Sequence, residues 1–345
     1  MTKKHSKLVT GNQAAVLGAL AGGAEAMFGY PITPATEILQ GWIEKAQSDK
    51  SLHFLQTEDE TSAGFAVCGA LLNGTKAFTA SAGPGHVLMQ DPVSMAENVR
   101  LPFVGIMMQR GGPSTGTVNF SQQEVNLASF GGNGEGLRIV YSASTVQEMY
   151  DLSAKIFNTA WKYMFPTFLL GDGYIGKMES EIGLTKKVNP ISSKKLLREQ
   201  KTPTHLKNCY SSEEELAEIL KENIYEWNKN KSVIAESEKY RTEDAKEIIV
   251  AHGLVASAAK EAVDMMRNHG RKIGLFRAIT VHPLDTLPLS NLAKKVKRIH
   301  LIEASQNQFS RIVKYELYGE TTDIVEHSKP AEGFSPSEII DLIRD

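Results

Sequence analysis

Tyr30-Pro31-Ile32-Thr33-Pro34 closes an apolar run, sets a hydroxyl between two prolines and opens an amphipathic segment. It reads as the C-terminal end of a strand meeting the start of a helix. Ligands of open α/β sheets bind along that edge, and a turn stiffened by two prolines can hold one hydroxyl there with little entropy to lose. The same residues also make a helix cap, with Thr33 as N-cap and Pro34 at the first helical position. The residues that follow favour the ligand.

The flanks repeat the strand-and-helix pattern. Small apolar residues recur at helical spacing from Gly11 to Ala26, and Ala24 to Tyr30 reads as a short buried strand. His53 to Thr57 and Lys76 to Ser81 are strand-like around a small-residue helix predicted from Thr61 to Leu72. A third helix is predicted from Gly83 to Val99, entered through Gly83-Pro84-Gly85, and Leu101 to Gln109 is the most apolar strand of the chain. Such alternation argues for a doubly wound parallel sheet with helices on both faces. The polar, glycine-rich passage from Gly111 to Gly136 reads as a functional loop. Strands at Leu137 to Ser142 and Thr167 to Leu170 are expected to flank a helix from Val146 to Tyr163.

With 345 residues, and about 150 per domain as a prior, two domains are expected. The first spans 1–178. Residues 179–245, rich in Lys, Glu and Ser, read as a connecting segment with one exposed helix from Glu213 to Asn228, started by a capping box at Ser211 or Ser212. A smaller α/β domain occupies 246–345, with strands at Glu247 to Ala251, Lys272 to Arg277 and Ile299 to Ile302. Its predicted helices run from Val255 to Arg267 and from Asp285 to Lys297.

Composition excludes several function classes. The 38 basic and 40 acidic residues leave a formal charge of -2, so no global field favours nucleic acid or a membrane surface. There is no apolar run of about 18 residues, and a cytoplasmic location is the expectation. Cys68 and Cys209 stand far apart outside any C-x-x-C pattern, so this chain cannot supply four cysteines to an iron–sulfur cluster. Cys68, inside an apolar stretch, reads as a buried inert thiol.

Three polar groups fall where a doubly wound sheet would gather them at one edge: Thr33, Glu60 and Arg110. Glu58, Asp59 and Glu60 crowd a helix N-terminus, where the dipole alone accounts for two of them. One carboxylate facing the sheet edge would be half buried, with a tunable pKa. Arg110 ends an apolar strand before a Gly-Gly-Pro loop. Its planar fork suits a carboxylate substrate, or an ion pair with Glu124 or Glu135. Gly171-Asp172-Gly173 resembles the start of a thiamine diphosphate metal motif, but no Asn-Asn or Asn-x-Asn pair follows at the needed distance, so Asp172 reads as a turn residue. The Ser81 to Gly85 turn lacks a Walker lysine, and no G-x-G-x-x-G follows the first strand.

With Gly29-Tyr30-Pro31-Ile32-Thr33-Pro34, Glu58-Asp59-Glu60, Ser81-Ala82-Gly83-Pro84-Gly85, Arg110-Gly111-Gly112-Pro113-Ser114-Thr115-Gly116, Val146-Gln147-Glu148 and Leu170-Gly171-Asp172-Gly173 in this order, the chain resembles a known family. It is similar to the alpha subunit of the 2-oxoacid:ferredoxin oxidoreductases, which include enzymes for pyruvate, 2-oxoglutarate and 2-oxoisovalerate. The second domain, with Gly274 to Arg277, Pro283 and Glu303, resembles the transketolase C-terminal type more loosely. There Ser305-Gln306-Asn307-Gln308 stands where many members show Asn-x-Gly-Gln.

The resemblance implies a pyrimidine-type thiamine diphosphate-binding domain in this chain. Glu60 would hydrogen-bond the aminopyrimidine, with Pro31 and Ile32 also at the cofactor, and Thr33 and Arg110 would bind the 2-oxoacid. A beta subunit would carry the diphosphate-binding domain and its Mg2+. The resemblance further implies a gamma subunit, a small ferredoxin-like subunit, and iron–sulfur clusters in those partners only. The implied reaction is oxidative decarboxylation of the 2-oxoacid with coenzyme A to acyl-CoA and carbon dioxide, electrons passing to ferredoxin. The rivals are a pyrimidine-domain subunit of a non-oxidative thiamine enzyme, and a non-catalytic α/β scaffold. The Pro113-Ser114-Thr115-Gly116 loop leans toward 2-oxoglutarate, whereas Gly131-Gly132-Asn133-Gly134 leans toward branched-chain 2-oxoacids.

Overall fold

Six consecutive buried residues in each of Val104–Gln109 and Thr167–Asp172 place these two segments in the middle of a sheet covered on both faces. The computed structural model describes residues 6–184, 188–197 and 206–344. β1 (Ser6–Thr10) enters α1 (Gly11–Ala21) through a capping box: the Thr10 hydroxyl accepts the Gln13 N–H, and the Gln13 side chain accepts the Thr10 N–H. There follow β2 (Ala26–Gly29), α2 (Thr36–Ser48), β3 (His53–Gln56), α3 (Glu60–Leu72), β4 (Ala77–Ser81), α4 (Pro84–Leu88), α5 (Gln90–Asn98) and β5 (Val104–Gln109). The helix predicted from Gly83 to Val99 is two helices. Pro92 has no N–H for the Leu88 carbonyl, so a fresh helix starts just before it. Next come α6 (Val125–Phe130), β6 (Ile139–Ser142), α7 (Val146–Tyr163), β7 (Thr167–Asp172), α8 (Gly173–Lys177) and β8 (Glu179–Gly183). The expected loop from Gly111 to Gly136 thus contains the short helix α6.

The rest of the chain runs through α9 (Glu213–Ile234), β9 (Ser237–Tyr240), β10 (Glu247–His252), α10 (Gly253–Asn268), β11 (Ile273–Ala278) and β12 (Thr280–His282). It ends with α11 (Thr286–Ala293), β13 (Arg298–Glu303), α12 (Gln308–Glu316), β14 (Asp323–Ser328) and α13 (Pro336–Arg344). Among the described residues the larger sheet has the order β12-β6-β7-β5-β4-β2-β3, parallel except where β12 runs against β6. The smaller sheet has the order β14-β13-β10-β11-β9, parallel except for β9.

Two strands cross the boundaries expected from sequence. β9, inside the connecting segment, extends the smaller sheet, and β12, beyond residue 246, extends the larger one. Both are short and add by backbone pairing at a sheet edge, which leaves little periodic signal. The helix expected to be exposed, α9, buries Asn223, Trp227 and Ile234, a single stripe at helical spacing. Trp227 stacks on His282 of β12 at 5.1 Å and meets Phe165, just before β7, edge-on at 5.3 Å, so the connecting helix packs on the larger sheet.

On one face of the larger sheet, α1, α2 and α7 close over Trp42, Phe78 and Phe157, with edge-on ring contacts at 5.0 and 5.6 Å. On the other, α3 and α5 pack Val67, Cys68, Leu71 and Val93 against Phe103 and Phe168. Burial pushes the Cys68 thiol up to about 12, which leaves it protonated and inert.

Asp172, at the end of β7, caps α8. Its Oδ1 accepts the N–H groups of Tyr174 and Ile175, both at 2.9 Å. Complete burial pushes the carboxyl up to about 7, against the downward pull of those two hydrogen bonds. The folded protein therefore binds this proton more tightly than the unfolded chain between 3.8 and about 7. Stability from this group is full below that window and is lost as pH rises through it. Asp172→Asn keeps the capping oxygen and removes the buried charge. It is expected to stabilise the fold by on the order of 2 kcal/mol at pH 8 and by little at pH 4, read by thermal unfolding at both pH values. Equal changes at the two pH values would exclude the buried charge as the cause.

Candidate active site

Parallel neighbours β5, β4 and β2 end at Gln109, Ser81 and Gly29, so the segments that follow them emerge at one edge. These segments are Arg110, the turn through Gly83 to Gly85, and the turn from Tyr30 to Pro34. The N-terminus of α3, which follows the outermost strand β3, adds Glu60. Arg110 and Glu60 thus meet around a single glycine turn, and Thr33 joins them through Arg110.

The three acids before α3 divide their roles by burial. Asp59 is the N-cap: its side chain accepts the Ser62 N–H at 2.7 Å, and Ser62 holds its carboxyl below the usual range. Glu58 is exposed and accepts the Ser62 hydroxyl at 3.1 Å. Glu60 is buried, with 4% of its surface exposed. Desolvation raises its pKa, and Asp59 adds to the rise, while its own backbone N–H and the charge of Arg110 oppose it. Its Oε1 has no hydrogen-bond partner, and neither has the buried Ser81 Oγ. Both atoms lie over Gly85, where a Cβ would collide with each of them.

Arg110 is buried too. Its Nη1 donates to the Thr33 carbonyl at 2.7 Å, and its Nε is buried without a partner. Gly83, at φ 49°, passes so close that a Cβ there would lie 2.7 Å from that Nε. Among the described residues the guanidinium makes no ion pair with Glu124 or Glu135, the partners open to it on sequence grounds. Thr33 is not the N-cap of α2. That helix begins at Thr36 after Ala35, without a side-chain cap, and Thr33 offers its carbonyl to Arg110 three residues earlier. Pro31 and Ile32 lie half-buried in the same turn.

Three further residues complete the arrangement: Glu124, open from sequence only as an ion-pair partner of Arg110, and two not anticipated, His86 and Asn12. Glu124 is buried, and its Oε1 accepts the N–H groups of Gly83 at 2.9 Å and Arg110 at 3.1 Å. Its Oε2 accepts the His86 Nδ1–H at 2.8 Å, which leaves the buried His86 Nε2 without a partner. Asn12, buried in α1, donates to the Pro34 carbonyl at 2.8 Å and to Glu37 at 3.1 Å, and so pins the Tyr30–Pro34 turn. The signal for Asn12 was a buried amide beside Gln13 at the start of an otherwise small apolar helix. Glu124 was open as an ion-pair partner, but it meets the backbone N–H of Arg110 and not its guanidinium.

The run Gly131 to Gly134 is not at this edge. It packs on α5 beside Gln90, Ser94 and Glu97 and on the buried Arg138, which donates to Glu97 at 2.9 Å and Gln90 at 2.7 Å. The loop Pro113 to Gly116, by contrast, follows Arg110 directly and is exposed.

Residues 16–251 match the family described as "Pyruvate flavodoxin/ferredoxin oxidoreductase, thiamine diP-bdg", and residues 245–336 match "Pyruvate:ferredoxin oxidoreductase core domain II". The ketoisovalerate oxidoreductase subunit VorB of Methanothermobacter marburgensis is 33% identical over 317 residues, covering 90% of this chain and 89% of that one. The 2-oxoglutarate synthase subunit KorA of Methanocaldococcus jannaschii is 32% identical over 329 residues, 87% of this chain and 88% of that one. Among solved structures, 2-oxoglutarate:ferredoxin oxidoreductase from Magnetococcus marinus superposes with a TM-score of 0.88 at 23% identity, covering 100% of this chain and 66% of the longer one. A split-gene transketolase superposes at 0.61 with 12% identity, over 97% of this chain and 95% of that one. These two likenesses concern the fold alone.

Proposed function

We propose, from the premise that this chain belongs to the pyruvate flavodoxin/ferredoxin oxidoreductase family, that it is the alpha subunit of a 2-oxoacid:ferredoxin oxidoreductase acting on 2-oxoglutarate or a branched-chain 2-oxoacid. The observation that carries the reading is the gathering of Glu60 Oε1, Ser81 Oγ and Arg110 Nε, all buried and without partners, about the Gly83–Gly85 turn. Buried polar groups are normally paired, so three orphans at one turn mark a place for a ligand with complementary groups. A buried carboxyl whose pKa is raised by desolvation fits an aminopyrimidine, and an arginine nitrogen fits a carboxylate.

Glu60 would hold the aminopyrimidine of thiamine diphosphate, with Pro31 and Ile32 beside it. The chemistry that cofactor supplies when bound is a carbon nucleophile and an electron sink for decarboxylation. Glu60 would take and return a proton at its buried carboxyl. Arg110 binds the 2-oxoacid carboxylate, oriented by the Thr33 carbonyl, and Thr33 presents its hydroxyl from the same turn. Coenzyme A takes the acyl group, and the electrons leave for ferredoxin through clusters in partner subunits.

The mouth of the site also supports a partner. β3 is an edge strand whose residues are all exposed, including Phe54 and Leu55. Phe65 on α3 and Val87 and Leu88 on α4 are exposed as well, and the Thr61 hydroxyl ties the two helices together at the Leu88 carbonyl. An apolar edge next to a half-built site fits a beta subunit that brings the diphosphate and its Mg2+. In this reading residues 1–178 form the pyrimidine-type unit, 179–245 join it, and 246–345 form the second unit. A gamma subunit and a small ferredoxin-like subunit complete the complex.

The test is coenzyme A-dependent viologen reduction by the complex purified without oxygen on a tag attached to this chain, against a panel of 2-oxoacids. Reduction with one acid, from a preparation that retains partner subunits, is the expected result. A cluster-containing preparation that reduces viologen with no 2-oxoacid would overturn it.

A further inference from the structure

The second unit grips the chain on which the substrate arginine rests. Gln122 is stapled to it at three points: its N–H donates to the Ala304 carbonyl at 3.2 Å, its Nε2 to the His252 carbonyl at 2.9 Å, and its Oε1 accepts the Ala304 N–H at 2.9 Å. Gln308, the first residue of α12, donates from Nε2 to the Gln123 carbonyl at 2.8 Å and accepts the Asn126 N–H at 3.0 Å. Glu124 lies between those last two attachments. The same strip reaches both sides of Arg110. Glu124 takes the N–H groups of Arg110 and Gly83, and the Gln123 side chain accepts the Gly112 N–H at 2.9 Å.

We propose that Gln308, acting through Glu124, is a positioning residue for Arg110, so that affinity for the 2-oxoacid is set from the second unit. The inference rests on the reading of Arg110 as the carboxylate-binding residue. Its physical content is that three backbone N–H groups bracketing the arginine are held by acceptors on a strip that Gln122 and Gln308 fasten to the second unit, beside the Gln109 and His86 contacts that hold Glu124 from the first. A carboxylate or amide oxygen at residue 124 serves this purpose equally, because it has lone pairs for two donors. A loosened strip lets the guanidinium sample positions away from the oxoacid, and that weakens binding before it slows chemistry.

The experiment compares Gln308→Ala, Glu124→Gln, Glu124→Ala and Arg110→Lys in the complex purified on this chain. It reads amide hydrogen exchange in segments 80–88 and 109–117, the KM for 2-oxoglutarate and for 2-oxoisovalerate, the KM for coenzyme A, and kcat. Gln308→Ala is expected to speed exchange in both segments about tenfold. It should raise the KM of the accepted oxoacid about fivefold, with a smaller change in kcat and an unmoved coenzyme A KM. Glu124→Ala should exceed it, and Glu124→Gln should restore most of the affinity. Unchanged exchange and oxoacid KM in Gln308→Ala, while Arg110→Lys raises the KM, would overturn the positioning role and leave the arginine's role standing. If Arg110→Lys itself leaves the KM unmoved, the reading of the arginine fails first. A loss in Gln308→Ala that falls on kcat and thermal stability alone would reduce Gln308 to a structural contact.

Discussion

Glu60→Gln is expected to lower turnover of the assembled complex by a factor on the order of 10² to 10⁴, the usual contribution of a positioned proton-transfer group. The subunits should still co-purify on the tagged chain. Glutamine fills the same space over Gly85 and keeps an acceptor oxygen, so packing at the start of α3 is undisturbed. What it removes is the ionisable carboxyl, whose pKa is raised by desolvation. Asp59 remains as N-cap, so the helix keeps its first-turn hydrogen bond. Steady-state viologen reduction and gel filtration of the same preparation check the two halves of the expectation. Full activity in Glu60→Gln would remove this residue from the mechanism, and loss of the partner subunits would show a structural role instead.

Arg110→Lys is expected to raise the KM for the 2-oxoacid about 10- to 100-fold, which corresponds to the roughly 1.5–3 kcal/mol of one hydrogen bond to a charged group. Lysine keeps the charge but not the fork. Arg110 uses two edges of its plane: Nη1 is committed to the Thr33 carbonyl at 2.7 Å, and Nε is left over Gly83. An ammonium group cannot anchor on Thr33 and present a second donor at a fixed angle. The change should therefore fall on KM more than on kcat, measured over a range of oxoacid concentrations. An unchanged substrate response would remove Arg110 from the site.

Much of this was legible in the chain because helices and buried strands write themselves locally. Val146 to Tyr163 was predicted to the residue and is α7, a long amphipathic pattern opened by Thr145, whose hydroxyl accepts the Glu148 N–H. Glu60 and Arg110 were visible for a similar reason: each stands at the end of a run of small or apolar residues, where parallel strands and their helices deliver side chains to one edge. Thr33 was visible as a residue but not as a group. Its hydroxyl drew attention, whereas its carbonyl meets Arg110, and a carbonyl is common to every residue.

The amino-acid sequence by itself determined the α/β alternation, the edge on which the candidate site lies, and two of the charged groups gathered there. Those depend on periodicity and on neighbours a few residues away. Only the tertiary structure decided that β9 and β12 would each join a sheet across an expected boundary, that α9 would bury Trp227 against β12 and Phe165, and that Gln308 would hold the strip bearing Glu124. Each of these is a pairing between groups far apart in the chain, 185 residues for Gln308 and Gln123. Backbone N–H and C=O groups carry no residue-specific signal, so which of them end as partners is settled when packing brings the segments together.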